Sequence, residues 1–335
     1  MNNLKKVGLT ALAGSLAAVS AHAAEMTVSG ATLLTYTSED GTESTGNPFG
    51  MKTNIGFTAS GDVNGMTVSY MQTSKDQFAG MSSARLTIDM GDMGTLAFDQ
   101  GSGSGLGTID DKTPTAAEEI WDGLDTDGTN GANGLVGAAG ASGSFNYIKD
   151  LGGVTFNGAA RKGSGAKNTD GASSGAGQGA WDFALTGSGD MMGVDGLAWG
   201  VGYGEAETGS FNATAGDAEE STHMTGFVNY SFGPVTAGYQ QSDIQAGGVG
   251  GNGQIVDAWG IAFNVNDNMS ISYGEREVEF DKPSSTNVTE QGEGIAVSYT
   301  MGSMKIAGNR NEVSNNDGTA SSNDSMTEIA VSFAF

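Results

Sequence analysis

The chain closes on Glu328-Ile329-Ala330-Val331-Ser332-Phe333-Ala334-Phe335. Ile329, Val331, Phe333 and Phe335 take every second position, with Ala330, Ser332 and Ala334 between them. A β-strand sends such sets to opposite faces, one apolar and aromatic, the other small and wettable. A free terminus normally frays into polar residues, so this stripe is expected to meet lipid or a partner rather than water.

The same period recurs upstream. Met26–Ser29, Asn54–Ala59, Met66–Tyr70, Arg85–Met90 and Thr95–Phe98 alternate, as do Phe145–Tyr147, Val154–Phe156, Trp181–Leu185 and Leu197–Tyr203. Val228–Phe232, Val235–Tyr239, Trp259–Phe263, Met269–Tyr273, Ile295–Tyr299 and Met304–Ala307 follow, and the terminal strand makes sixteen. Their connections alternate between short turns, such as Gly61–Gly65, Gly233-Pro234 and Gly302-Ser303, and long polar stretches, such as 162–179, 205–221 and 242–254. Gly, Asn and Asp supply the positive φ that tight turns need. Tight turns all at one end define an antiparallel up-and-down barrel. Sixteen strands enclose more space than side chains fill. The polar stripe is therefore expected to line water and the aromatic stripe (Trp199, Tyr203, Phe232, Trp259, Phe263, Phe333) to face lipid. Closure satisfies every backbone polar group, as lipid demands. Tyr70, Tyr239, Tyr273 and Tyr299 suit interfacial girdles.

Composition agrees. Lys5 and Lys6, the apolar run Val7–Val19 and Ala21-His22-Ala23 read as a signal peptide over residues 1–23, removed after Ala23. That run is too short to span a bilayer as a helix, and no later segment reaches 18 consecutive apolar residues. Residues 24–335 are then the barrel. With no cysteine there is neither disulfide nor thiol chemistry. Glycine numbers 56 against 4 prolines, which suits turns and bends rather than a collagen repeat. The formal net charge of −25 argues against nucleic acid as a partner and toward attraction of cations.

With these features the chain resembles the Gram-negative general porins, specifically the alphaproteobacterial-type 16-stranded branch. The resemblance covers the leader, the alternating turns and terminal Phe335. It implies a homotrimer of water-filled pores that passes small hydrophilic solutes and ions without chemistry. It also implies a third long loop folded into the barrel, a bacterial outer-membrane setting among lipid and lipopolysaccharide, and Phe335 as a C-terminal signal to the barrel assembly machinery.

The long gap at 100–142 follows the fifth strand, so it is the third long connection and the expected constriction loop. It exceeds the ~12–15 residues usual for an unstructured loop. It carries Asp110, Asp111, Glu118, Glu119, Asp122, Asp125 and Asp127 against one base, Lys112. Thr113 as N-cap and Pro114 at the first helical position predict a short helix through Trp121. Ile120 and Trp121 would pin it to the wall. The family pattern calls for a basic side opposite, and alternation assigns the inward phase to Lys52, Arg85, Arg161, Arg276 and Lys305. Acids facing bases would set a transverse field. The family's larger arginine cluster is not evident, which tilts the expectation toward cation preference. Asp122-Gly123-Leu124-Asp125-Thr126-Asp127 fails EF-hand spacing, yet weak calcium at Asp122, Asp125 and Asp127 stays open; no cofactor is required.

Nothing suggests an enzyme. His22 leaves with the leader, His223 is alone, and no nucleophile elbow is present. Two other readings stay open. One is a structural or adhesive outer-membrane barrel without an open pore, though the loops are mostly Gly, Ser, Asn and Asp. The other is a secreted calcium-binding β-protein, whose nonapeptide repeats are missing.

Overall fold

The computed structural model describes residues 25–40, 45–74, 80–124, 142–163, 179–208, 219–245, 253–281 and 288–335. The expected signal peptide, Asp125 and Asp127 lie outside these residues. Among the described residues no helix is long and apolar enough to cross a membrane.

Sixteen antiparallel strands form one closed barrel, each bonded to its sequence neighbours and β1 to β16. They are β1 (Glu25–Asp40), β2 (Phe49–Val63), β3 (Met66–Ser74), β4 (Met81–Asp89), β5 (Thr95–Gln100), β6 (Ser142–Asp150), β7 (Val154–Arg161) and β8 (Ala180–Ser188). The second half comprises β9 (Leu197–Thr208), β10 (Glu219–Phe232), β11 (Val235–Gln245), β12 (Gly253–Asn266), β13 (Met269–Asp281), β14 (Glu290–Met301), β15 (Met304–Ser314) and β16 (Asp324–Ala334). Every alternating segment of the sequence is a strand. The alternation understates their length: β1 has 16 residues and β10 has 14. Ladder bonding continues after the apolar phase gives way to acids, so β9 and β10 extend into the stretch expected as the loop 205–221.

Tight turns occupy one end. Asn64 and Gly65, with φ of 55° and 81°, join β2 to β3, the left-handed pair that a two-residue hairpin requires. Closure involves the last residue itself. Phe335 N–H donates to Gly30 O at 2.9 Å and Gly30 N–H to Phe335 O at 2.7 Å. A Cβ on Gly30 would lie 2.6 Å from Phe335 Cε2, so a larger residue there would make the ring shift.

Alternation gives the barrel two chemically distinct faces. Tyr36, Phe57, Tyr70, Trp259, Tyr299 and Phe333 are exposed on the outer one. Several outer tyrosines end in a polar belt: Tyr273 Oη donates to Glu275 at 2.7 Å and Glu293 at 2.8 Å, and Tyr203 Oη to Glu205 at 2.8 Å. An apolar ring with a wet tip is the girdle chemistry of a lipid–water boundary.

Candidate functional site

The chain leaving β5 is clamped at its root. Asp99, fully buried, accepts Ser102 N–H at 2.9 Å and Ser104 Oγ at 2.5 Å. Arg85 lies 3.6 Å from Asp99, donates to Gly103 O at 2.9 Å and also bonds Asn146. Arg85 thus holds the inward phase expected of it, but its charge is committed to the loop root. A 3-10 turn over Gly105–Ile109 follows. Leu106 N–H donates to Asp182 at 3.1 Å, and Leu106 and Ile109 bury against Ala184, Phe227 and Ile244.

The segment then crosses β11 to β16 on the face opposite the exposed aromatics. Lys112 N–H donates to Gln240 Oε1 at 2.9 Å, and Gln240 Nε2 to Asp110 O at 2.8 Å. Ala116 N–H donates to Ser272 Oγ at 2.8 Å. Asn311 Nδ2 donates to the carbonyls of Glu119 and Asp122, both at 2.9 Å. The helix expected from Pro114 is absent: residues 113–124 are bends and turns. Wall side chains take backbone groups that a helix would use, and Thr115 Oγ1 bonds Glu118 O at 2.7 Å. An unhelical backbone is affordable where each polar group has a partner.

A row of inward glycines makes this approach fit. A Cβ on Gly202 would meet Leu106 Cδ1 at 2.3 Å, one on Gly238 would meet Pro114 Cδ at 2.6 Å, and one on Gly260 would meet Pro114 O at 2.7 Å. On Gly274 and Gly294 it would meet Ile120 Cγ2 at 3.2 and 2.9 Å. These five glycines sit on β9, β11, β12, β13 and β14. Sequence reading missed them by treating glycine as turn chemistry; the signal was a mid-strand glycine on the inward phase of neighbouring strands.

The loop acids share a crowded, partly dry environment. Burial is the first cause of every shift. It raises Asp110 despite Lys112. It raises Glu119 to about 7, helped by a hydrogen bond with Asp111. It raises Asp122 to about 6, helped by Glu118, Glu328 and Glu119 and opposed by Lys52. Glu118 is exposed. Lys52 and Lys305 take the inward phase, Lys52 exposed and Lys305 half-buried. Arg161 also points inward at the end of β7.

Arg276 departs from its expected role. It is 1% exposed, ion-paired with fully buried Glu290 and stacked 5.5 Å from the Trp121 ring centroid. It is a buried anchor behind the loop rather than a free pore base. Sequence reading also missed Glu328, whose Oε2 accepts Thr37 Oγ1 at 3.0 Å. Among the described residues no three acids or histidines converge to hold a metal. The Asp122 carbonyl of the expected calcium stretch is taken by Asn311. His223 lies 3.0 Å from Ser221 Oγ.

No protein-family model matches the chain, and no curated protein does. Solved structures share its fold. The outer membrane channel DcaP of Acinetobacter baumannii aligns with TM-score 0.65 and 13% identity, covering 93% of this chain and 97% of that one. Salmonella typhi OmpF in complex with daunomycin gives 0.62 and 9%, covering 93% and 98%. A mutant of Rh. blastica porin gives 0.60 and 13%, covering 93% and 100%. At such identities the likeness shows the fold, a closed sixteen-stranded up-and-down β-barrel.

Proposed function

We propose that the chain is a passive diffusion channel of the bacterial outer membrane, a general porin of the alphaproteobacterial type that admits small hydrophilic solutes and ions and prefers cations. In this reading residues 24–335 form the barrel after export behind a cleaved leader, three copies assemble, and no catalytic step takes place. The described part of the expected constriction loop 100–142, residues 104–124, folds into the lumen and narrows it. Asp110, Asp111, Glu118, Glu119 and Asp122 form the acidic side of the opening, with Lys52, Arg161 and Lys305 as its remaining bases.

The observation that carries the reading is the seat of residues 104–124. A segment held by wall side chains and fitted over five glycines is a fixed partition, which a mobile surface loop would not need. Its carboxylates lie near one another, Glu119 bonded to Asp111 and Asp122 close to Glu118 and Glu119. Close-range charge at a constriction sets ion preference. The test is liposome swelling with the purified protein in sugars of graded size. Uptake that falls off with solute size is expected; no uptake of the smallest sugar would refute the reading.

A further inference from the structure

We infer that Glu328, on the inward face of β16, is the wall-side half of a cation filter: with Asp122, which is seated close to it, it flanks the passage beside β16, and it favours small cations over anions. This deepens the pore reading and rests on it. The segment lands on β16 through Met326, which buries against Leu124 and Val313. A Cβ on Gly123 would lie 2.1 Å from Met326 Cε, so the contact is close. Glu328 is the next inward residue of the same strand, about 7 Å further along.

Its carboxylate is held there. Thr37, its register partner on β1, donates to Oε2 at 3.0 Å. Its partner on β15 is buried Asn309, and the next inward residue of β15 is Asn311, which clamps the Asp122 carbonyl. Asp122 and Glu328 therefore share one corner of the barrel. Glu118 and Glu119 add negative charge from the segment, and Lys52 on β2 is the opposing cation. Lys305 stands four positions from Asn309 along β15. At this corner, where a basic wall is expected, the wall contributes an acid.

A facing pair of carboxylates lowers the cost of a cation leaving part of its water and raises that of an anion. Two groups do not enclose an ion, so a cation passes rather than staying bound.

The experiment measures the cation-to-anion permeability ratio in planar bilayers under a KCl gradient. The proteins are wild type, Glu328→Gln, Glu328→Lys and Thr37→Lys, each checked for heat-modifiable mobility. One unit charge about 6 Å from the ion path, in a water-like dielectric, changes cation and anion permeability about threefold each in opposite senses, and so the ratio about tenfold. Glu328→Gln should lower it by that factor and Glu328→Lys by about a hundredfold. Thr37→Lys leaves Glu328 in place and sets a positive charge beside it, so it should lower the ratio as well. It carries the test if the Glu328 variants do not fold. Conducting variants with an unchanged ratio would overturn the inference while leaving the pore intact. A silent wild-type protein would overturn the pore reading itself.

Discussion

Gly294→Ala should release the stretch around Ile120, part of the proposed constriction segment, while leaving the barrel closed. Its new Cβ would stand 2.9 Å from Ile120 Cγ2 and 2.5 Å from Asn311 Oδ1. Carbon contacts are optimal near 3.5–4.0 Å, so Ile120 must withdraw by roughly 0.6 Å or more. Asn311 must rotate, and its amide is what holds the Glu119 and Asp122 carbonyls. Overpacking costs about 1–3 kcal/mol, and two hydrogen bonds add about 1 kcal/mol each. A loss of about 3 kcal/mol moves the docked-to-released ratio roughly a hundredfold. The Gly294 backbone still pairs with Gly274 and Asn311, so the wall persists. The assay is single-channel conductance, with heat-modifiable mobility to verify folding. Conductance should rise in Gly294→Ala and stay unchanged in Gly308→Ala, where the nearest atom is 3.5 Å away. A folded Gly294→Ala channel with wild-type conductance would refute the glycine seat.

If the chain conducts as proposed, the loop acids should make its selectivity sensitive to mild acid. Glu119 and Asp122 titrate at about 7 and about 6, above the ordinary 4.5 and 3.8. Cation preference should therefore fade as pH falls from above 7 to below 6, and Glu119→Gln should remove the upper part of that change in bilayer recordings. The stability sign is the reverse. The folded state binds these protons more tightly than the unfolded one, so seating of the loop strengthens as pH falls through this range; limited proteolysis at pH 5 and pH 8 should cut 104–124 faster at the higher pH. Glu290→Gln takes the carboxylate away from buried Arg276 and should cost about 3–5 kcal/mol, read as a lower temperature for the mobility shift. Phe335→Ser should reduce the amount of protein reaching the outer membrane, measured by fractionation, because the closing contact with Gly30 loses its ring.

The barrel was legible because a period of two repeats sixteen times and each strand needs only its neighbours. The loop was harder to read, because its conformation depends on residues more than a hundred positions away. Pro114 and the following residues have local helix chemistry, but Ser272 and Asn311 outbid it by bonding the backbone directly. Alternation gave Arg85 and Arg276 the correct face without their partners. For Arg85 the partner was within reach, since Asp99 is its register neighbour on β5. For Arg276, Glu290 lies diagonally, two residues beyond register partner Gly292. Glu328 stood at the head of the terminal stretch, on the small-residue phase, yet its meaning depends on where Asp122 is seated.

The most direct measurement is the reversal potential of the wild-type protein in planar bilayers separating two KCl concentrations. Stepwise conductance with a potential of cation-selective sign is the expected result. An absence of steps would contradict an open pore, and an anion-selective sign would contradict carboxylates as the groups that set its preference.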